Sequence, residues 1–142
     1  MKKTNRSEQN VKKTRGKIRY HWELDVYRLS IEAAMKIFSL SKNFPKEELY
    51  SLTDQVRRCS RSASSNIAES WRRRKYERAF VNKLNEAEAE AAETQVWLEY
   101  SVKCEYLNEK EGRDLHALYD HIIGKLVTME NSPGPWLLKA TL

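Results

Sequence analysis

Apolar residues recur every three or four positions through most of this chain. The clearest row steps by three or four residues and consists of Tyr76, Phe80, Leu84, Ala87, Ala91, Thr94, Leu98 and Val102. An α-helix turns once in about 3.6 residues, so such a row lies along one face of a helix. Only 4 glycines and 3 prolines occur among the 142 residues, which leaves few of the turns that a protein of many short strands needs. The pattern predicts an all-α protein.

The apolar rows divide into four predicted helices with short connections. The helices are expected over residues 22–43, 46–71 and 75–104, and from Asn108 to the Pro133-Gly134-Pro135 segment. Pro45 ends the first helix, because the residue before a proline avoids helical angles. Asn108 can cap the fourth helix, with Glu111 as its partner in a capping box. Four amphipathic helices joined in this way form an antiparallel, up-down four-helix bundle, which we expect over residues 21–142.

Positive charge is concentrated at the start of the chain. Residues 1–20 contain eight lysines and arginines and one glutamate, which is a net charge of +7, and they contain few apolar side chains. Such a composition does not support a packed core, so we expect a flexible basic arm. An ordinary disordered terminus, or a tail added for expression, is the alternative interpretation.

A second basic block begins within the second predicted helix and extends past its end. Residues 57–78 carry a net charge of +6, whereas the rest of the predicted bundle carries −7. The candidate nucleic-acid-binding residues are Arg57, Arg58, Arg61, Arg72, Arg73, Arg74, Lys75 and Arg78. Arginine binds phosphate through two parallel hydrogen bonds, and the interleaved Trp71 and Tyr76 offer rings on which unpaired bases can stack. The block predicts contact with RNA or another polyanion.

Other interpretations of these side chains stay open. Arg57 or Arg61 can form ion pairs with the acidic row of the third helix, either in the same chain or in a neighbouring subunit. That row consists of Glu88, Glu90 and Glu93. Trp71 can belong to the core, and the whole block can be a solvated face. Asn66 and Glu69 lie among small and apolar residues and can form a polar ligand site, but we favour hydrogen bonds between helices that fix their register.

No arrangement of residues in the sequence indicates catalysis, a metal site or a cofactor. His116 and Asp120 are four positions apart, but His121 falls on another helix face, so we interpret all three as surface residues. Cys59 and Cys104 stand alone and are expected to be free thiols in a reducing compartment. No stretch approaches the ~18 apolar residues of a membrane span, and the N-terminus lacks the apolar core of a signal peptide. We therefore expect a non-enzymatic, cytoplasmic protein that does not bind a membrane.

Four short motifs resemble those of one bacterial protein family. Residues 44–58, FPKEELYSLTDQVRR, are similar to the pattern FPxxExYGLxxQxRR, and residues 65–69, SNIAE, are similar to SNIAEG. Residues 93–95 and 106–107 resemble its ETQ and GYL motifs. The similarity extends from about Trp22 to Trp136. On these motifs the chain resembles the bacterial four-helix-bundle family, also called the 23S rRNA intervening-sequence protein family.

The resemblance implies a left-handed up-down bundle that assembles into a homo-oligomer, with five-membered rings known among relatives. Distant relatives are accessory proteins of the reverse transcriptase of diversity-generating retroelements, where they bind RNA and the enzyme. Three glycines of the family are replaced here by Ser51, Ser70 and Glu105, and residues 71–78 lack the glycine expected in the second turn. The geometry of that turn decides where its arginines lie.

Charge layout and resemblance together predict an RNA-binding accessory protein that acts as a homo-oligomer, with a pentamer expected. The acidic row of the third helix complements the arginines of the second, so a head-to-tail contact between copies can close into a ring. The alternative is a protein-interaction scaffold whose basic face meets a protein partner, such as a reverse transcriptase or a ribosome-associated protein.

Overall fold

A computed structural model describes residues 18–139, and these form four α-helices with no strand among them. The helices are α1 (Asp25–Ser41), α2 (Leu52–Trp71), α3 (Glu77–Lys103) and α4 (Glu109–Asn131). Short 3-10 turns cover His21–Glu23, Lys46–Glu48 and Gly134–Trp136. The all-α, four-helix prediction is confirmed. The predicted basic arm lies outside the described residues except for 18–20.

Each helix packs on its neighbours in the chain, and α1 also packs on α4. The contacts that fix the helix directions are Ser30–Ser64 and Ser41–Arg57 between α1 and α2, Cys59–Thr94 and Asn66–Lys83 between α2 and α3, and Gln95–Asp120 and Val102–Gly112 between α3 and α4. In every pair the residue numbers rise along one helix as they fall along the other. Consecutive helices are therefore antiparallel, as the sequence predicted.

The predicted apolar rows form the core over most of their length. Ala33, Val56, Ile67, Leu84 and Leu126 are fully buried. Burying apolar surface of this kind contributes about 25 cal/mol per Å², which is the main term that favours the fold. Three residues that continue the apolar spacing are exposed: Leu49 and Tyr76, which lie just before α2 and α3, and Ile31 in the middle of α1.

The second helix begins six residues later than the sequence predicted. Lys46–Glu48 form a separate 3-10 turn, and α2 starts at Leu52. Ser51 has φ −128° and ψ −106°, which is outside the helical region, so the two segments cannot join. The intervening residues reverse the chain between α1 and α2 and leave Tyr50 91% exposed. The third helix likewise begins at Glu77 rather than near residue 75.

Two positions favour glycine, one in the turn between α3 and α4 and one near the start of α4. Glu105 has φ +63°, where glycine is favoured, and it is one of the three positions at which the family resemblance expects glycine. Gly112, in the first half of α4, faces Val102 so closely that a Cβ at this position would overlap the valine methyl group. Asn108 caps α4 by accepting a 2.7 Å hydrogen bond from the backbone N–H of Glu111, as predicted.

Both cysteines are free thiols, as expected. Cys104 is exposed, whereas Cys59 is buried at the α2–α3 contact, where Thr94 Oγ1 lies 3.1 Å from its sulfur. Burial raises the pKa of Cys59 to about 11, so this thiol stays protonated and unreactive near neutral pH.

Candidate nucleic-acid interface

The structure divides the predicted basic block into two groups. Arg57 and Arg61 lie in the first half of α2 on the side that faces α1, whereas the residues from Arg72 to Arg78 lie beyond its last turn. A helix rises about 1.5 Å per residue, so Arg61 and Arg72 are separated by about 16 Å along α2. The eight residues therefore do not form a single continuous patch.

The first group surrounds one aromatic ring and is named here the Phe38 cluster: Phe38, Lys42, Arg57 and Arg61. The charged groups of Lys42, Arg57 and Arg61 lie 4.6, 5.1 and 5.9 Å from the centre of the Phe38 ring. Cations over a ring face are attracted by its quadrupole. Arg57 Nε also donates a 2.8 Å hydrogen bond to Ser41 Oγ.

The ion pairs proposed for Arg57 and Arg61 with the acidic row of α3 do not form between these described residues. Both side chains face α1, while the acidic row is on α3, and neither forms an ion pair with a carboxylate among residues 18–139. Arg58 points to a different side of α2 and forms an exposed 3.7 Å pair with Asp54. Pairing with another subunit stays a hypothesis.

The second group is named here the basic end: Arg72, Arg73, Arg74, Lys75 and Arg78. The turn that carries it needs no glycine, because none of its residues has a positive φ. Arg72 N and Arg73 N donate hydrogen bonds to the last carbonyls of α2. Within the described part of the chain, none of the five forms an ion pair with a carboxylate. All except Arg74 are exposed, so four cations are available to an anionic partner.

Arg74 differs from the other four because it packs on the body of the bundle. Its guanidinium lies 3.5 Å from the centre of the Trp71 ring, and its Nε donates a 2.8 Å hydrogen bond to the Trp71 carbonyl. Burial, and then repulsion from Arg72, lowers its pKa, but an arginine remains charged near neutral pH. Arg74 therefore has a structural role in addition to its charge.

Trp71 is a core residue and offers no face to a nucleobase. It is buried, its ring packs edge-on against Trp136 with centroids 6.3 Å apart, and Arg74 covers its other side. Its Nε1 donates a 2.9 Å hydrogen bond to the Arg19 carbonyl. The prediction that Trp71 stacks on unpaired bases is therefore wrong, and the alternative, that it belongs to the core, is correct. The hydrogen bond also holds the backbone of Arg19 next to the basic end.

Exposed aromatic rings do occur at this end of the bundle. Tyr76 is 64% exposed, and the Lys75 ammonium lies 5.7 Å from its ring centre. Tyr20 and Trp22 stack on each other, with centroids 4.3 Å apart and planes within 5°, and both are about half exposed. This pair was not predicted from the sequence. The one sequence feature that could have indicated it is the position of both rings just before the first apolar row and next to the basic arm.

Asn66 and Glu69 belong to a polar contact between helices rather than to a ligand site. The Lys83 Nζ of α3 lies 2.9 Å from a carboxylate oxygen of Glu69 and donates a 3.4 Å hydrogen bond to the side-chain oxygen Oδ1 of Asn66. The hydrogen bond from Lys83 holds the pKa of Glu69 below its usual range, and the same contact raises the pKa of Lys83. The preferred interpretation, a register-fixing contact, matches this geometry.

The histidines of α4 lie on the surface. His116 Nδ1 is 3.5 Å from Asp120, whose carboxylate also accepts a 2.8 Å hydrogen bond from Gln95 Nε2 of α3. Over residues 18–139, no three His, Cys, Asp or Glu side chains are grouped as metal ligands would be. None of the helices in that same range is both long and apolar enough to cross a bilayer.

Similarity to known proteins agrees with this architecture. A crystal structure of a protein of unknown function from the S23 ribosomal protein family of Bacteroides thetaiotaomicron has a TM-score of 0.68 and 28% sequence identity to this chain. The similarity covers 75% of this chain and 99% of that one. No curated protein matches the chain. Residues 22–128 match the model of the family described as 23S rRNA-intervening sequence protein, and the chain belongs to that family.

Proposed function

We propose that this protein is a non-enzymatic RNA-binding accessory protein that contacts RNA phosphates through the basic end. The observation that carries the proposal is the group of four exposed cations at one end of the bundle, none of which forms an ion pair with a carboxylate of residues 18–139. A cation without an ion pair keeps its full charge for a phosphate. The backbone of Arg19, another exposed arginine, is hydrogen-bonded to Trp71 at the same end. The description of the family refers to 23S rRNA, which supports RNA as the polyanion.

The number of cations sets the expected dependence of binding on salt. If about five phosphates are neutralised, log K should fall with log salt at a slope of about −4.5 on duplex RNA and about −3.5 on single strands. Polarisation of a labelled RNA at several salt concentrations between about 50 and 200 mM measures this slope. Binding that does not depend on salt, or no binding at all, would refute the proposal.

Neutralising the exposed arginines of the basic end tests where RNA binds. The triple variant Arg72→Gln, Arg73→Gln, Arg78→Gln is expected to bind about 100-fold more weakly near 100 mM salt, with a slope shallower by about 2 to 3. Arg74 is left intact because it packs on Trp71. The matched control is Lys36→Gln, Lys103→Gln, Lys110→Gln, which removes the same charge elsewhere. An equal loss in both variants would show that only net charge matters.

We further propose that the chain assembles head to tail into a homo-oligomer, with a pentamer expected. A groove of about 370 Å³ between α1 and α2 is lined by apolar and small residues and by Arg61 of the Phe38 cluster, and no carboxylate lines it. The outward face of α3 is complementary in size and charge: Ala89, Ala92, Val96 and Tyr100 are exposed, with Glu86 and Glu93 beside them. Two different patches of opposite charge favour a ring over a symmetric pair.

Light scattering after size exclusion measures this assembly directly. A pentamer of 16.8 kDa chains has a mass of about 84 kDa. Met35→Asp places a charge in the groove at an exposed position, so we expect smaller particles without loss of helix content. Tyr50→Asp, at an exposed position away from both surfaces, is the control and should keep the wild-type mass. A wild-type particle of 16.8 kDa would rule out the ring.

The same groove supports the alternative function, a scaffold for another protein such as a reverse transcriptase or a ribosome-associated factor. Its basic rim suits an acidic, amphipathic helix from such a partner. Purification from native cells with and without nuclease separates the alternatives: a protein partner that survives nuclease, and that Met35→Asp releases, favours the scaffold.

A further inference from the structure

Aromatic rings at the basic end are placed where a nucleic acid held by its cations would meet them. Tyr76 follows the last residue of the turn that carries Arg72 to Lys75, and Tyr20 follows Arg19, whose carbonyl accepts the hydrogen bond from Trp71. The two sets of rings, Tyr76 and the stacked Tyr20–Trp22 pair, are therefore both attached to the bundle close to Trp71. Their exposure and their proximity to unpaired cations are the two observations from which the inference starts.

The rings are mounted on ordered backbone rather than on a loose segment. The Trp22 carbonyl accepts a 3.2 Å hydrogen bond from Arg28 Nε, and the neighbouring His21 ring packs edge-on against Tyr27 at 4.9 Å. Tyr76 N donates to the Arg73 carbonyl at 3.1 Å, and the Tyr76 carbonyl accepts from Phe80 N. A platform that is already ordered loses little entropy when a base stacks on it.

The stacked Tyr20–Trp22 pair is a flat surface that the bundle itself leaves half exposed. Burying such rings is favourable, so a fold that exposes three of them beside its cations has a surface suited to a flat, polarisable partner. A nucleobase is such a partner, and its phosphate would reach the neighbouring arginines.

Only unpaired RNA can present bases in this way. In a duplex the bases are stacked on one another, and the A-form major groove is too deep and narrow for side chains to enter. Duplex RNA would therefore use the cations alone, whereas a single strand would use the cations and the rings.

We propose that the basic end selects single-stranded RNA, with bases stacking on Tyr76 and on the Tyr20–Trp22 pair. The inference rests on the proposed RNA-binding function and adds to it the class of RNA. Each stacked base strengthens binding by about 5- to 100-fold, so two platforms have a large combined effect.

The test compares an unstructured CA-repeat RNA with a duplex of the same length. In the double variant Trp22→Leu, Tyr76→Leu, affinity for the single strand is expected to fall by about 30-fold or more, while affinity for the duplex changes less than about twofold. The salt slope should stay unchanged, because no cation is removed. Tyr50→Leu removes an exposed ring away from the basic end and from both proposed assembly surfaces, and it should bind both RNAs as the wild type does. Thermal unfolding of each variant verifies that the bundle is intact.

A second measurement uses the fluorescence of Trp22 and therefore keeps that ring in place. In Tyr76→Leu alone, quenching of tryptophan emission by the single strand but not by the duplex is expected, because Trp22 is the half-exposed indole at this end. If the double variant Trp22→Leu, Tyr76→Leu lost affinity equally for the two RNAs, or lost none for the single strand, the inference would be overturned. The basic end would then be a site for phosphates alone. If the wild type binds neither RNA, the proposed function itself fails.

Discussion

Replacing Trp71 with alanine is expected to lower the free energy of unfolding by about 3 to 5 kcal/mol. The indole is buried where α2 ends, contacts Trp136 and Arg74, and donates its N–H to the Arg19 carbonyl. Its removal leaves a cavity and removes contacts with three chain segments, at Arg19, Arg74 and Trp136. Urea unfolding followed by circular dichroism gives the value.

The matched control for this substitution is Trp22→Ala. Trp22 is 52% exposed and its side chain packs mainly on Tyr20, so we expect a loss below about 1 kcal/mol. If Trp71→Ala costs no more than the control does, Trp71 is not what holds this end together.

Gly112→Ala is expected to destabilise the protein by about 1 to 3 kcal/mol, although an alanine inside a helix is usually better than glycine by about 1 kcal/mol. The reason is steric: the new Cβ would overlap the Val102 side chain, and a β-branched side chain has few rotamers into which it can move. Unfolding in urea, read by circular dichroism, measures the difference.

Two further variants isolate that steric cause. In a Val102→Ala background the same Gly112→Ala change should become neutral or stabilising, because the overlapping methyl group is gone. Gly124→Ala lies in the same helix with open space around the added Cβ, so it should stabilise by up to about 1 kcal/mol. A destabilising effect of Gly112→Ala that persists without the valine would contradict the explanation.

The fold was predictable because its main determinant is periodic. Ala33, Val56, Leu84 and Leu126 each fall on a row that the sequence displays, and all are fully buried. Two of the errors, at Leu49 and Tyr76, occur where a row continues past its helix. Leu49 extends the α2 row by spacing alone, but the backbone at Ser51 breaks the helix before that position, and spacing carries no information about such a break.

The candidate site was predictable in composition but not in layout. The arginines are close together in the sequence, which suggested one patch. The length of α2 separates Arg61 from Arg72, however, and Arg58 pairs with Asp54 instead of facing Phe38. The Tyr20–Trp22 platform depends on a contact between Arg19 and Trp71, which are 52 positions apart. A contact over that separation leaves no local pattern, so periodicity and charge counting cannot reveal it.

The two ends of the described chain meet at the basic end. Arg19 is fixed to Trp71, and Leu138 N donates a 3.2 Å hydrogen bond to the Arg74 carbonyl. An affinity tag or fluorescent protein fused directly at residue 18 or residue 139 would therefore lie beside the proposed RNA surface. Labels belong at the opposite end, where residue 50 is almost fully exposed. A circular permutant opened between residues 43 and 51, with the old termini joined, would keep new chain ends away from that surface.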